Sequence, residues 1–179
     1  MKKILVIVDM QVGFINSAHT KEVADRTKGL LQMGLFDGVI MTRFINSDNS
    51  TYEKLLDWKE MKSGEAIDLV GNYREYADCV IDKSIYTCVN SDFLQKLCQL
   101  NGGNYPESVY IVGIDTDCCV LATALDLFEG NIRPIILADY CASSGGEAAH
   151  KAGLSCLKRL IGKNQLVYST INSSDDLHV

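Results

Sequence analysis

The chain has 179 residues, 47% of them hydrophobic, with 17 basic against 23 acidic side chains and a net charge of -6. That length buries roughly 70% of the unfolded surface around one core, so a single domain over residues 1–179 is expected. No basic run or face offers itself to phosphates or anionic lipid, which argues against nucleic-acid and membrane partners.

In chain order, the opening "MKKILVIVDMQ" holds a short apolar stretch, Ile4 to Val8, that ends at Asp9 without a small-residue cleavage site. It reads as a strand of a cytoplasmic protein rather than as a signal peptide. Apolar runs rich in Val and Ile predict strands at Lys3–Asp9, Gly38–Arg43, Cys79–Asp82, Ser108–Gly113, Arg133–Ala138 and Leu166–Tyr168. They are continuous rather than alternating, which suits strands covered on both faces. Helices are expected at about 20–34, 51–61, 90–101, 118–130 and 145–162. In the last of these, Ala149, Ala152, Leu154, Cys156, Leu157, Leu160 and Ile161 line one side and Gly162 stops the helix. The alternation predicts an α/β fold: a three-layer, Rossmann-like open parallel sheet of about six strands with helices on both faces. The polar segment from about 171 to 179 is expected to fray.

The seven cysteines contain no CxxC pair and no companion histidine spacing, so they read mostly as reduced, buried thiols. Two of them stand apart in "VGIDTDCCV" (Val112–Val120). In an open parallel sheet, ligands bind where the carboxyl ends of strands meet the following loops and helix N-termini. Asp9, Lys83 and Cys119 all fall just after predicted strands. A free cysteine is mostly protonated at neutral pH and is a weak nucleophile until assisted. A helix N-terminus and an ammonium favour the thiolate, and a carboxylate can take its proton. Cys119, Lys83 and Asp9 suit these tasks.

Three stretches, "VIVDMQVGF" (Val6–Phe14), "DKSIYTCVNSDFLQKL" (Asp82–Leu97) and "VGIDTDCCVLATALDLF" (Val112–Phe128), resemble the signature blocks of the isochorismatase-like cysteine hydrolases, in family order and with compatible spacing. That family includes nicotinamidases, N-carbamoylsarcosine amidases and ureidoacrylate amidases. The resemblance implies an Asp9–Lys83–Cys119 triad, with Thr116-Asp117-Cys118-Cys119-Val120 satisfying a T-D-x-C-V pattern and Cys118 in the variable place. It also implies a cis peptide between Ile114 and Asp115 and an oxyanion hole built from the backbone N–H groups of Asp115 and Cys119. Asp115 departs from the small residue many relatives carry there; its carboxylate either meets a substrate or turns away to cap the helix.

Nicotinamidases place an Asp and histidines after the second strand to ligate a metal. The corresponding "TRFINSDNSTYEKLLDW" (Thr42–Trp58) has no histidine, and His19, His150 and His178 are scattered, so no metal or other cofactor is expected and nicotinamidase activity is disfavoured. His150 resembles a position the family uses structurally. Phe14, Phe44, Tyr52, Trp58 and Tyr86 lie near the predicted active edge; Phe14 and Tyr86, beside triad blocks, and Gln11 are the candidate substrate contacts. The expected activity is hydrolysis of a small-molecule amide or related C–N bond through a thioester, by a homo-oligomer. Three alternatives stay open: a redox sensor using vicinal Cys118 and Cys119, a non-catalytic binding module, and an isochorismatase-type enol ether hydrolase.

Overall fold

Residues with both faces covered cannot alternate apolar with polar, and the first strand shows why its run is continuous. In the computed structural model, which describes residues 2–177, β1 (Ile4–Val8) is buried at every position. Leu5 and Ile7 pack into one apolar cluster while Ile4, Val6 and Val8 pack into another on the opposite face. The remaining strands are β2 (Gly38–Phe44), β3 (Cys79–Lys83), β4 (Ser108–Ile114), β5 (Arg133–Ala142) and β6 (Leu166–Val167). All pair in parallel in the order β3-β2-β1-β4-β5-β6. Three layers result. Helix α1 (Ala18–Gln32) covers one face through Val23, Ala24, Leu30 and Leu31. The other is covered by α3 (Ser91–Leu100), α4 (Leu121–Glu129) and α5 (Glu147–Leu160), through Phe93, Leu97, Ala124, Leu127 and Leu157. The short α2 (Thr51–Leu56) stands at the carboxyl edge. Local chemistry sets the helix starts: Ser17 and Thr20 form a capping box on α1, and Ser50 and Asn90 accept from the N–H groups of Glu53 and Phe93.

The order reverses direction between β1 and β4, the switch point at which such sheets open a crevice. There β4 carries an irregularity between Ile111 and Gly113. Gly113 adopts φ = 134°, and a Cβ on it would lie 2.1 Å from the Val8 carbonyl oxygen, so only glycine lets the two strands approach this closely.

Several expectations are corrected. Helix α2 ends at Leu56, not near 61, because Asp57 turns left-handed (φ = 51°) and its N–H closes back on the Glu53 and Tyr52 carbonyls. The stretch from 118 is a π-helical turn, Thr116–Val120, feeding α4. β5 runs on to Ala142. The buried seam of α5 is narrower than the sequence stripe: Gly153 and Leu157 are buried, with Ile161 just beyond, whereas Ala152, Cys156 and Leu160 are exposed. The tail expected to fray packs over the range 171–177. Ile171 and Leu177 are buried, and their carbonyls accept from the Tyr140 and Tyr110 hydroxyls; His178 and Val179 lie outside the described residues. The cysteines are all free, but of the five read as structural only Cys88 and Cys141 are buried, Cys79 and Cys98 are half-buried and Cys156 is exposed. Among the described residues no helix is long and apolar enough to cross a membrane.

Candidate active site

Asp9 follows β1 directly and bends the chain away from the sheet with φ = 47°. Its Oδ1 accepts from the Thr42 hydroxyl at 2.6 Å, and its N–H donates to the same hydroxyl oxygen at 3.1 Å. Thr42 on β2, which the sequence did not single out, thus fixes the carboxylate. The other oxygen, Oδ2, is buried without a well-aligned hydrogen bond and lies 2.6 Å from Lys83 Nζ. Lys83, the last residue of β3, reaches across β2 to this point. Its ammonium has three acceptors for three protons: Asp9 Oδ2, the Ile85 carbonyl at 3.0 Å and Cys119 Sγ at 3.4 Å. It also stands 5.1 Å from the centre of the Phe44 ring. Burial works against the ammonium, but Asp9 and the Cys119 sulfur outweigh it and its pKa is raised.

Cys119 sits in the π-helical turn after β4. This turn is closed by the Cys118 and Val120 N–H groups donating to the Asp115 carbonyl at 3.2 and 3.0 Å. It is pinned from outside by α5: a Cβ on Gly153 would lie 2.7 Å from the Asp117 backbone, and His150 Nδ1 is 2.8 Å from the Thr116 hydroxyl oxygen. That hydroxyl in turn donates to the Ala142 carbonyl. The peptide between Ile114 and Asp115 is cis. Burial pushes the Cys119 thiol well above its ordinary range, the Asp9 carboxylate adds to this, and Lys83 opposes it. The sequence argument expected the opposite direction. Cys119 is only 5% exposed and faces a carboxylate as well as an ammonium, so the favoured state is a neutral thiol beside an Asp9–Lys83 ion pair.

Of the three, Cys119 lines a cavity of about 290 Å³. Phe14, Phe44, Tyr52, Trp58 and Tyr86 all line it too, in one connected cluster with ring centres 5.0 to 6.3 Å apart. Sequence proximity had favoured Phe14 and Tyr86; the end of β2 brings in Phe44, and α2 and the turn after it bring in Tyr52 and Trp58. Gln11 is corrected. It is fully buried, donates from Nε2 to the Phe44 and Ile67 carbonyls and accepts from the Phe44 N–H through Oε1, so it ties the loop after β1 to β2 and is not among the residues lining the cavity. Asp115 lines the cavity and does not cap the helix: its carboxylate accepts from the Ser144 N–H at 2.5 Å and the Ser144 hydroxyl at 2.9 Å. Burial raises its pKa, and Ser144 only partly offsets this. The loop Ser143–Gly145 and the acids Glu60 and Asp117 also face the cavity; of these only Asp117, as the second place of the T-D-x-C-V pattern, had a sequence signal, and not one that marked it as a cavity residue.

A nicotinamidase-type metal site does not fit these residues. Among the described residues no histidine lines the cavity, His150 is engaged with Thr116, and no group of three or more His, Cys, Asp or Glu suited to a metal occurs.

No curated protein sequence matches the chain. The fold is shared with solved structures. One is a nicotinamidase/pyrazinamidase from Bacillus subtilis (21% identity, 93% of this chain and 100% of that one, TM-score 0.76). Another is an isochorismatase-like hydrolase from Alkaliphilus metalliredigens (18%, 89% and 92%, TM-score 0.75). A third is an N-carbamoylsarcosine amidase from Thermoplasma acidophilum (20%, 98% of each chain, TM-score 0.72). At these identities the likeness speaks for the fold alone. The sequence pattern of the isochorismatase domain matches residues 3–166, nearly the whole chain, and the protein belongs to the isochorismatase domain family of hydrolases.

Proposed function

We propose that this chain is a cysteine-dependent hydrolase that cleaves a small-molecule amide or related C–N bond through a thioester acyl-enzyme. The observation that carries the reading is the meeting of Lys83 Nζ with Asp9 Oδ2 at 2.6 Å and Cys119 Sγ at 3.4 Å, at the wall of a cavity. Neighbours named as nicotinamidase and N-carbamoylsarcosine amidase support the choice of a C–N bond.

In this mechanism Asp9 Oδ2, the oxygen not committed to Thr42, takes the Cys119 proton as sulfur attacks the carbonyl carbon. Lys83 stays charged and compensates the negative charge as it moves from carboxylate to sulfur. The oxyanion is received by the N–H groups of Asp115 and Cys119, at a helix start where N–H groups lack intrahelical acceptors. The C–N bond breaks as the proton on Asp9 passes to the leaving nitrogen, giving ammonia or an amine and a thioester. Water, deprotonated by Asp9, then attacks the thioester; the acid leaves and the proton returns to sulfur.

Ammonia release from a panel of primary amides, with Cys119→Ala alongside, tests this. Turnover in the native enzyme that falls by about three orders of magnitude or more in the variant is expected. An equal rate in the variant, or no release from any amide, contradicts the reading.

A further inference from the structure

The charged side chains around the cavity are of one sign. Glu60, Asp115 and Asp117 line it, and no lysine or arginine does. The nearby cation, Lys83, is 1% exposed and held behind the sulfur by Asp9. The three acids are not equivalent. Asp115 is committed to Ser144 through both oxygens. Asp117 accepts only a weak contact from the Cys118 thiol at 3.7 Å, on Oδ2, and its Oδ1 is buried without any hydrogen-bond partner. The Asp117 carboxylate borders the cavity and is less committed to the protein than that of Asp115. Much of the remaining wall is aromatic. Trp58 lies against Phe14 and Phe44 with centres 6.3 and 5.6 Å apart, and Tyr52 bridges Trp58 and Tyr86 at 6.1 and 5.1 Å. Ring faces carry negative potential and attract cations, most strongly where water is excluded. Burial raises the pKa of the Tyr86 hydroxyl, with smaller contributions from Cys118 and Cys119 and then from Asp115 and Asp117.

We propose that the substrate is a cationic amide, one whose acyl part carries an ammonium group seated between Asp117 and the aromatic wall. The inference rests on the hydrolase reading above and names its substrate class. It has two parts: the ammonium is selected by the Asp117 carboxylate with Glu60 at the mouth, and substrates bearing a carboxylate or phosphate are rejected for want of any counter-charge.

Trp58 is the chain's one tryptophan and lines the cavity, so its fluorescence reports binding independently of turnover. Cys119→Ala protein is titrated with 4-aminobutanamide, its neutral isostere pentanamide, and the anionic glutaric acid monoamide. The ammonium amide is expected to saturate at about tenfold lower concentration than pentanamide, and the anion to bind more weakly than either. Asp117→Asn brings the ammonium amide to the level of pentanamide, and Glu60→Gln, at an exposed position that cannot disturb the core, gives a smaller loss in the same direction. Equal affinities, tightest binding of the anion, no saturable response to the ammonium amide, or an unchanged preference in both variants overturns the proposal. Ammonia release from pentanamide without any preference for 4-aminobutanamide leaves the hydrolase standing and removes only the substrate class. A binding preference without ammonia release contradicts the hydrolase reading, and with it the substrate, and leaves only a cation-selective cavity.

Discussion

At the scale of single residues, the site depends on side chains whose hydrogen-bonding capacity is divided between holding position and reacting. Asp9 gives one oxygen to Thr42 and keeps the other at Lys83. Gln11 is wholly structural, with both ends of its amide used on the backbone of β2 and of the loop at Ile67. Gln11→Leu leaves the Phe44 N–H and two carbonyls unpaired in a dry interior. It is expected to lower unfolding stability by roughly 2–4 kcal/mol in urea denaturation, whereas a substrate contact would change KM and leave stability untouched. Asp9 and Lys83 were legible in the sequence because each stands at the end of an apolar run, and Cys119 because it follows the next such run by a few residues within the T-D-x-C-V pattern. Gln11 was misread because its neighbour in sequence is the triad, while its partners, Phe44 and Ile67, lie 33 and 56 residues away. Glu60 was missed, and Asp117 was noted only as a place in the T-D-x-C-V pattern, because a carboxylate in a loop or first turn looks the same whether it caps, solvates or faces a cavity.

At the scale of elements, the nucleophile's placement is a packing result. The π-helical turn that carries Cys119 is not signalled by any residue type; it forms where β4 ends in a cis peptide and α5 presses against Thr116 and Asp117 through Gly153. Gly153→Ala puts a methyl group 2.7 Å from the Asp117 backbone. The turn and α5 must then separate, and turnover is expected to fall at least tenfold, with a lower melting temperature. Unchanged kinetics in a folded variant would show that Cys119 does not depend on this contact. The strands and long helices were predicted nearly in place because burial on both sheet faces writes continuous apolar runs and long helices keep their period. The overestimates fell where local conformation ended an element early, as at Asp57, or where a helix touches its neighbour along a narrow seam, as α5 does.

At the scale of the whole molecule, two buried thiols give the fold an alkaline limit. Cys88 and Cys141, 0% and 1% exposed, are both pushed up to about 12, chiefly by burial. In the unfolded chain they ionise from the ordinary range near 9. Below that pH both states hold the protons and stability is unaffected. Above it the unfolded chain releases protons that the folded chain retains, so stability is lost as pH rises toward 12. Each thiol contributes about 1.4 kcal/mol per pH unit. Urea midpoints between pH 8 and 11 should fall with a slope that Cys88→Ala or Cys141→Ala reduces by about one thiol's share. A slope untouched by either variant would assign the alkaline loss to other groups.

The central claim is that Cys119 reacts because Asp9 can take its proton and Lys83 can balance the charge, and a substrate need not be known to test it. The direct measurement is the rate of iodoacetamide labelling at pH 7 followed cysteine by cysteine in peptide mass spectra, for the native chain and for Lys83→Met, which removes the charge that favours the thiolate. Labelling at the buried Cys119 that outpaces Cys88 and Cys141, and that slows at least tenfold in the variant while exposed Cys156 labels as before, is the predicted result. Cys119 left unlabelled while Cys156 reacts, or labelled at the same rate in both proteins, would contradict the account.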